Sequence, residues 1–128
     1  MKQLSLLIAL LLGLSLGAAS AADAPGKKTK LNHVVAIKFK ADATPEQIKA
    51  VEAAFAALKN KIDGIHSLEW GTNVSLEKHD KGFTHCFVLG FKSEADRDAY
   101  IVHPAHKAFG KVLGPVMADV FVVDFWVE

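Results

Sequence analysis

The chain has 128 residues, of which 51% are hydrophobic and 23% are charged, with 15 Lys and Arg against 14 Asp and Glu. This length fits one domain, and the composition excludes a disordered or collagen-like chain. The balanced charge gives no basic surface to neutralise phosphates, so we expect no nucleic-acid partner.

The first 21 residues have the layout of a secretory signal peptide. Lys2 supplies a positive start, residues 4–16 are mostly Leu, Ile, Ala and Gly, and Ala19 and Ala21 have the spacing of a cleavage signal. The apolar run is shorter than the roughly 20 residues that a permanent transmembrane helix needs. We therefore predict a signal peptide over 1–21, export to the periplasm or the medium, and no stable membrane anchor. Residues 22–30 are predicted to be a flexible tail.

Periodicity and helix-start signals predict the elements of the remaining chain. The run Thr44, Pro45 and Gln47 has the pattern of a helix cap, and Ser93 begins a second helix. Gly64 is expected to end the first helix in the left-handed conformation. In chain order we predict strand 31–40, helix 45–62, strand 65–74, loop 75–82, strand 83–91, a helix from 93 to about 103, helix 105–113 and strand 120–127.

This order of elements predicts a ferredoxin-like α+β unit, a split βαβ arrangement whose antiparallel sheet carries its helices on one face. The first and last strands are apolar on both faces, whereas a strand with one wet face should alternate. We therefore expect a homodimer in which a second copy covers the open face of the sheet. Cys86 is the only cysteine, so no intrachain disulfide can form, and we expect it to pack in the dimer.

Several short motifs over residues 31–128 resemble the stress-responsive A/B barrel (Dabb) family. The motifs are Leu31-Asn32-His33-Val34-Val35, Glu69-Trp70-Gly71, Lys81-Gly82-Phe83-Thr84-His85 and Tyr100-x-x-His103-Pro104-x-His106. The resemblance implies a dimeric α+β barrel made of two ferredoxin-like units. One plant member of the family is a polyketide cyclase that works without a cofactor, using a Tyr and a His from the segment matching Tyr100 to His106. Other plant members resemble stable stress-associated assembly proteins.

Five side chains are candidates for a site. We expect Tyr100 and His106 to be catalytic and His33, His85 and His103 to bind a ligand, with His33, His85, Tyr100 and His106 sharing one pocket. His106 falls in the first turn of the short helix, where the positive helix end disfavours an imidazolium and favours a neutral general base. Tyr100 could then hydrogen-bond a carbonyl oxygen and stabilise an enolate.

Three functions remain open from the residues alone. One is a small-molecule binding protein or cofactor-free enzyme, and another is a structural stress-associated dimer whose histidines only stabilise the fold. The third is a metal-binding exported protein that uses His103 and His106 together with His33 or His85. The sequence contains no phosphate loop, nucleotide fingerprint or nucleophile elbow, so we expect no cofactor.

Overall fold

The computed structural model of the protein describes residues 26–128. The predicted signal peptide and the first part of the predicted tail, residues 1–25, lie outside the described residues. Residues 26–30 have no regular structure and are exposed. None of the helices within 26–128 combines the length and the hydropathy of a membrane-spanning segment.

Within residues 26–128, four strands and three helices follow in the predicted order. They are β1 (Leu31–Phe39), α1 (Pro45–Lys61), β2 (Ser67–Thr72), β3 (His85–Phe91), α2 (Glu94–Val102), α3 (Pro104–Leu113) and β4 (Met117–Trp126). A single 3₁₀ turn, Gly114–Val116, joins α3 to β4, so β4 begins three residues earlier than expected. The strand order β2-β3-β1-β4, all antiparallel, confirms the ferredoxin-like fold.

The start of α1 is fixed by a reciprocal cap. The Thr44 hydroxyl accepts a hydrogen bond from the Gln47 backbone N–H at 3.2 Å, and Gln47 Oε1 accepts one from the Thr44 N–H at 2.9 Å. The predicted helix start is therefore confirmed. The expected left-handed Gly64 is wrong, since Gly82 is the one glycine with positive φ within residues 26–128. The buried Ile62 is already extended and turns the chain, so no left-handed residue is needed.

The helices cover one face of the sheet, which we call the inner face. Val35 and Ile37 of β1 and Phe87 of β3 are buried there beneath the helices. The rings of Phe55 on α1 and Phe87 stack with centroids 3.9 Å apart. His33 and His85 lie on the same face and are 6% and 7% exposed, which confirms the prediction that both point inward.

The opposite, outer face of the sheet is apolar and uncovered. Its residues alternate with those of the inner face along β1, β3 and β4; they include Val34, Ala36, Cys86, Val88, Phe121, Val123 and Phe125. Phe121, Val123 and Phe125 are 55%, 43% and 47% exposed. A contiguous apolar surface of this kind is typical of a protein–protein interface.

Candidate functional site

A cavity of about 320 Å³ lies on the inner face, between β1, β4 and the helices α2 and α3. Its polar groups come from His33, Tyr100 and His106. The rest of its wall is apolar and includes Val35, Phe55, Phe109, Leu113, Met117, Val120 and Val122. A small pocket with an apolar wall and a few converging polar groups is the usual form of a ligand site.

The break between α2 and α3 places two of these polar groups side by side. Tyr100 lies in the last turn of α2, and His106 lies in the first turn of α3. Between them, His103 ends one helix and caps the next, because its Nδ1 accepts a hydrogen bond from the Ala105 N–H at 3.0 Å. The rings of Tyr100 and His106 consequently approach to a centroid distance of 4.5 Å.

The predicted ligand-binding position of His103 is not supported by its placement. Its Nδ1 lone pair is used by the helix cap, and the side chain does not line the cavity. His103 instead determines where α3 begins and so where His106 points.

The tautomer of a neutral His106 follows from its hydrogen bond. Nδ1 lies 2.9 Å from the Ile101 carbonyl oxygen, and a carbonyl oxygen only accepts, so Nδ1 carries the proton. In the neutral ring Nε2 then has a free lone pair, and no described residue hydrogen-bonds to it. A half-buried imidazole with this tautomer can accept a proton from a molecule in the cavity.

His33 on β1 is linked through Asp124, on the neighbouring strand β4, to Arg97 on helix α2. Its Nδ1 donates to Asp124 Oδ1 at 2.6 Å, and Asp124 Oδ2 accepts from Arg97 at 2.9 Å. Arg97 also pairs with Asp98, so both acidic partners raise the pKa of its guanidinium, Asp98 more strongly. No role was predicted for Asp124 or Arg97 from the sequence. Asp124 is nevertheless the one charged residue in the predicted apolar strand 120–127, and a charge in that position needs a partner.

Tyr100 is the most enclosed polar group of the site, with 1% of its surface exposed. Burial raises its pKa well above the ordinary value, and the negative charge of Asp124 raises it further. The phenol therefore stays protonated at any physiological pH. Its hydroxyl makes no hydrogen bond to a described residue, although the ring lines the cavity, so it can donate to a ligand.

His85 lies away from this cavity, and the prediction of one pocket shared with His33, Tyr100 and His106 is wrong for it. Its Nε2 lies 2.9 Å from Glu52 Oε1 on α1, and its Nδ1 lies 2.8 Å from the Thr84 hydroxyl. The register explains the separation: His33 pairs with Leu89 in the ladder, whereas His85 pairs with Ile37, four residues further along β1. Glu52 was not singled out in the sequence.

The described residues offer no cluster of three or more His, Cys, Asp or Glu side chains that could hold a metal ion. The His103 and His106 rings both use Nδ1 in hydrogen bonds to the backbone, and His85 is bound elsewhere. The predicted alternative of a three-histidine metal site therefore finds no support in residues 26–128.

The family model for the stress responsive A/B barrel domain matches residues 31–127 of the chain. The chain is 34% identical over 98 residues to the stress-response A/B barrel domain-containing protein HS1 of Arabidopsis thaliana, covering 77% of this chain and 90% of HS1. It is 28% identical over 95 residues to olivetolic acid cyclase of Cannabis sativa, covering 74% of this chain and 94% of the cyclase.

Solved structures have the same fold. The hydroxynitrile lyase of Passiflora edulis superimposes with a TM-score of 0.73 at 24% identity, covering 79% of this chain and 95% of the lyase. A dimeric ferredoxin-like protein of unknown function from Jannaschia superimposes with a TM-score of 0.67 at 25% identity, covering 77% of this chain and 99% of that protein. Both likenesses agree with the antiparallel sheet and one-sided helices described above.

Proposed function

The chain belongs to the stress responsive A/B barrel domain family, and on this premise we propose that it binds a small carbonyl compound and catalyses a proton transfer on it without a cofactor. The observation that carries the proposal is the pairing, in one apolar-walled cavity, of the free Nε2 of His106 with the protonated hydroxyl of Tyr100. One group accepts a proton and the other only donates a hydrogen bond.

The division of roles follows from the two environments. His106 Nε2 takes a proton from a carbon next to the ligand carbonyl, because its other ring nitrogen is already bound to Ile101. Tyr100 donates a hydrogen bond to the carbonyl oxygen as negative charge develops on that oxygen. His33, held by Asp124, orients the same end of the ligand. Reprotonation, cyclisation or bond cleavage can each follow from the resulting enolate.

The apolar wall sets the class of ligand. A cavity of about 320 Å³ lies at the lower end of the range for small-molecule sites, roughly 300 to 1,000 Å³. Its apolar side chains favour a hydrocarbon or aryl body, while the three polar groups favour one oxygen-bearing end. Similarity to olivetolic acid cyclase supports an enzyme of this class, and similarity to HS1 supports a stress-associated role.

We also propose that the protein works as a homodimer joined through the outer face. The support is the exposed apolar surface formed by Phe121, Val123 and Phe125, together with the dimeric ferredoxin-like proteins that share the fold. Burying apolar surface contributes about 25 cal/mol per Å², so covering this face would stabilise a small domain that has a single cysteine.

Export remains part of the proposal and rests on residues 1–21 of the sequence. The positive start, apolar run and Ala19-x-Ala21 signal support it. Expression of the full chain in a bacterium, followed by cell fractionation and N-terminal sequencing, tests it. We expect an exported product that begins near Ala22, whereas an uncleaved product inside the cell would contradict export.

Proton abstraction can be tested without knowing the natural substrate. The protein is incubated in D₂O with benzylacetone, a ketone with an apolar aryl body, and deuterium entering the carbons next to its carbonyl is followed by NMR. We expect exchange faster than in buffer, together with a rise in the melting temperature as the ketone binds. Neither effect with benzylacetone or with a panel of phenolic and keto compounds would favour the purely structural dimer.

A further inference from the structure

A second depression, of about 350 Å³, lies where β2 and β3 meet the loop between them. We call it the loop cleft. Its wall includes Thr72, Asn73, Asp80, Thr84, His85 and Cys86, and none of these residues lines the cavity at His106. The proposed proton transfer leaves the loop cleft without a role.

Three side chains at the loop cleft form a hydrogen-bonded chain. An ionised carboxylate only accepts, so the contact of 2.9 Å between Glu52 Oε1 and His85 Nε2 places the ring proton on Nε2. The Nδ1 of the neutral ring is then an acceptor. The Thr84 hydroxyl, 2.8 Å from Nδ1, must therefore donate its proton to it.

His85, the middle member of this chain, is its most buried side chain. Thr84 is exposed, the His85 side chain is 7% exposed and the Glu52 side chain is 25% exposed. Two aromatic rings hold the imidazole in place: Trp70 lies parallel to it at 6.1 Å, and Phe39 meets it edge-on at 5.1 Å. A reachable hydroxyl, an enclosed imidazole and an orienting carboxylate form the arrangement that activates a nucleophile.

We propose that Thr84 is a nucleophile for acyl transfer from small carboxylic esters, with His85 as its base and Glu52 as the positioning residue. Thr84 Oγ1 forms a bond to the ester carbonyl carbon while its proton passes to His85 Nδ1. The intermediate then breaks its bond to the alcohol oxygen, which takes the proton from His85 and leaves as the alcohol. Water, activated by the same imidazole, hydrolyses the acyl-threonine and releases the acid.

Asn73 supplies a donor for the oxygen that becomes negative in this step. Its Nδ2 has two hydrogens, and one is used by Asp80 Oδ2 at 3.2 Å. The other hydrogen is free of partners within residues 26–128, and Asn73 lines the cleft together with Thr84. A side-chain amide in this position serves as an oxyanion donor in acyl transfer.

The probe for this step is an alkyl fluorophosphonate. Ala36 and Cys86 line the loop cleft and also belong to the outer face, so the protein is tested as the proposed dimer, in which that face is covered. The probe forms an Oγ–P bond and loses its P–F bond, with fluoride taking the hydroxyl proton through His85. We expect one adduct per chain, located on Thr84 by peptide mass spectrometry. Thr84→Val should lower the labelling rate about 100-fold or more.

Thr29→Val is the control, because Thr29 is exposed and lies outside the loop cleft, so the same change of side chain is made away from the proposed site. Its labelling rate should stay within about twofold of the wild type. An adduct on another residue, or equal labelling of the wild type and Thr84→Val, overturns the proposal.

The positioning role of Glu52 needs a readout that stability alone does not move. NMR should detect a low-field Nε2 proton of His85 that persists in Thr84→Val and is lost in Glu52→Ala. Glu52→Gln keeps a hydrogen-bond acceptor but loses the charge, so its labelling rate should fall about tenfold or more while its melting temperature stays within a few degrees. Unchanged labelling in Glu52→Gln would remove Glu52 from the mechanism.

Discussion

The imidazole of His106 donates from Nδ1 to the carbonyl oxygen of Ile101, five residues earlier, at 2.9 Å. Ile101 belongs to the last turn of α2, whose late carbonyl groups lack partners within the helix. One hydrogen bond thus satisfies a helix end and fixes which nitrogen of a neutral His106 keeps a free lone pair. The direction of the proposed proton transfer depends on this contact.

Replacing His106 by Gln should abolish exchange while leaving the fold intact. The Gln amide can still donate to Ile101, but it has no basic nitrogen, so we expect deuterium exchange into benzylacetone to fall about 100-fold or more. His66→Gln is the control, because His66 is exposed and lies outside the cavity. Equal exchange in wild type and His106→Gln would remove His106 as the base.

Ionisation of Tyr100 should lower the free energy of unfolding at high pH. Burial and Asp124 raise its folded-state pKa above the unfolded value of about 10, so its contribution is fully present below pH 10 and is lost as pH rises towards the folded pKa. Over that window the free energy of unfolding should fall by about 1.4 kcal/mol per pH unit from this group. Urea unfolding at several pH values checks the slope, and Tyr100→Phe should remove this part of it.

Asp124→Asn should lower the pKa of Tyr100 while leaving it above the ordinary value. Asp124 contributes the smaller, electrostatic part of the shift, and burial contributes the larger part. Tyr100 is the only tyrosine, so the ultraviolet absorbance of its phenolate reports its titration alone. The same variant should lose about 1–3 kcal/mol of stability because His33 and Arg97 lose a charged partner.

Asp98→Asn is the control for that titration. Asp98 also pairs with Arg97, but it is not among the causes of the Tyr100 shift. Its Tyr100 titration should therefore match the wild type. A wild-type midpoint in Asp124→Asn would show that Asp124 does not act on the phenol.

A charge on the outer face should separate the proposed dimer. Val123→Asp places a carboxylate in the centre of the apolar surface, where a second copy would have to bury it unpaired. Light scattering should give twice the chain mass for the wild type and the single-chain mass for the variant. Val102→Asp, at a 63% exposed position on α2, should remain dimeric. A monomeric wild type at micromolar concentration would contradict the dimer.

The sequence alone determined the fold, because the patterns that indicate each strand and helix come from residues close together in the chain. Alternation along His33, Val35 and Ile37 identified the inner face of β1, and the reciprocal cap at Thr44 and Gln47 set the start of α1. Both signals depend on residues close together in the chain. Pro104 likewise predicted the helix break that brings Tyr100 and His106 together.

Only the tertiary structure decided which side chains share a site. Asp124 meets His33 across 91 residues of sequence, and Glu52 meets His85 across 33, through strand pairing and helix packing that no local spacing encodes. Strand periodicity placed His33 and His85 on the same face, but their distance along β1 separates them into two sites. Hydrogen-bond partners, which fix tautomers and therefore chemical roles, are set by this long-range packing.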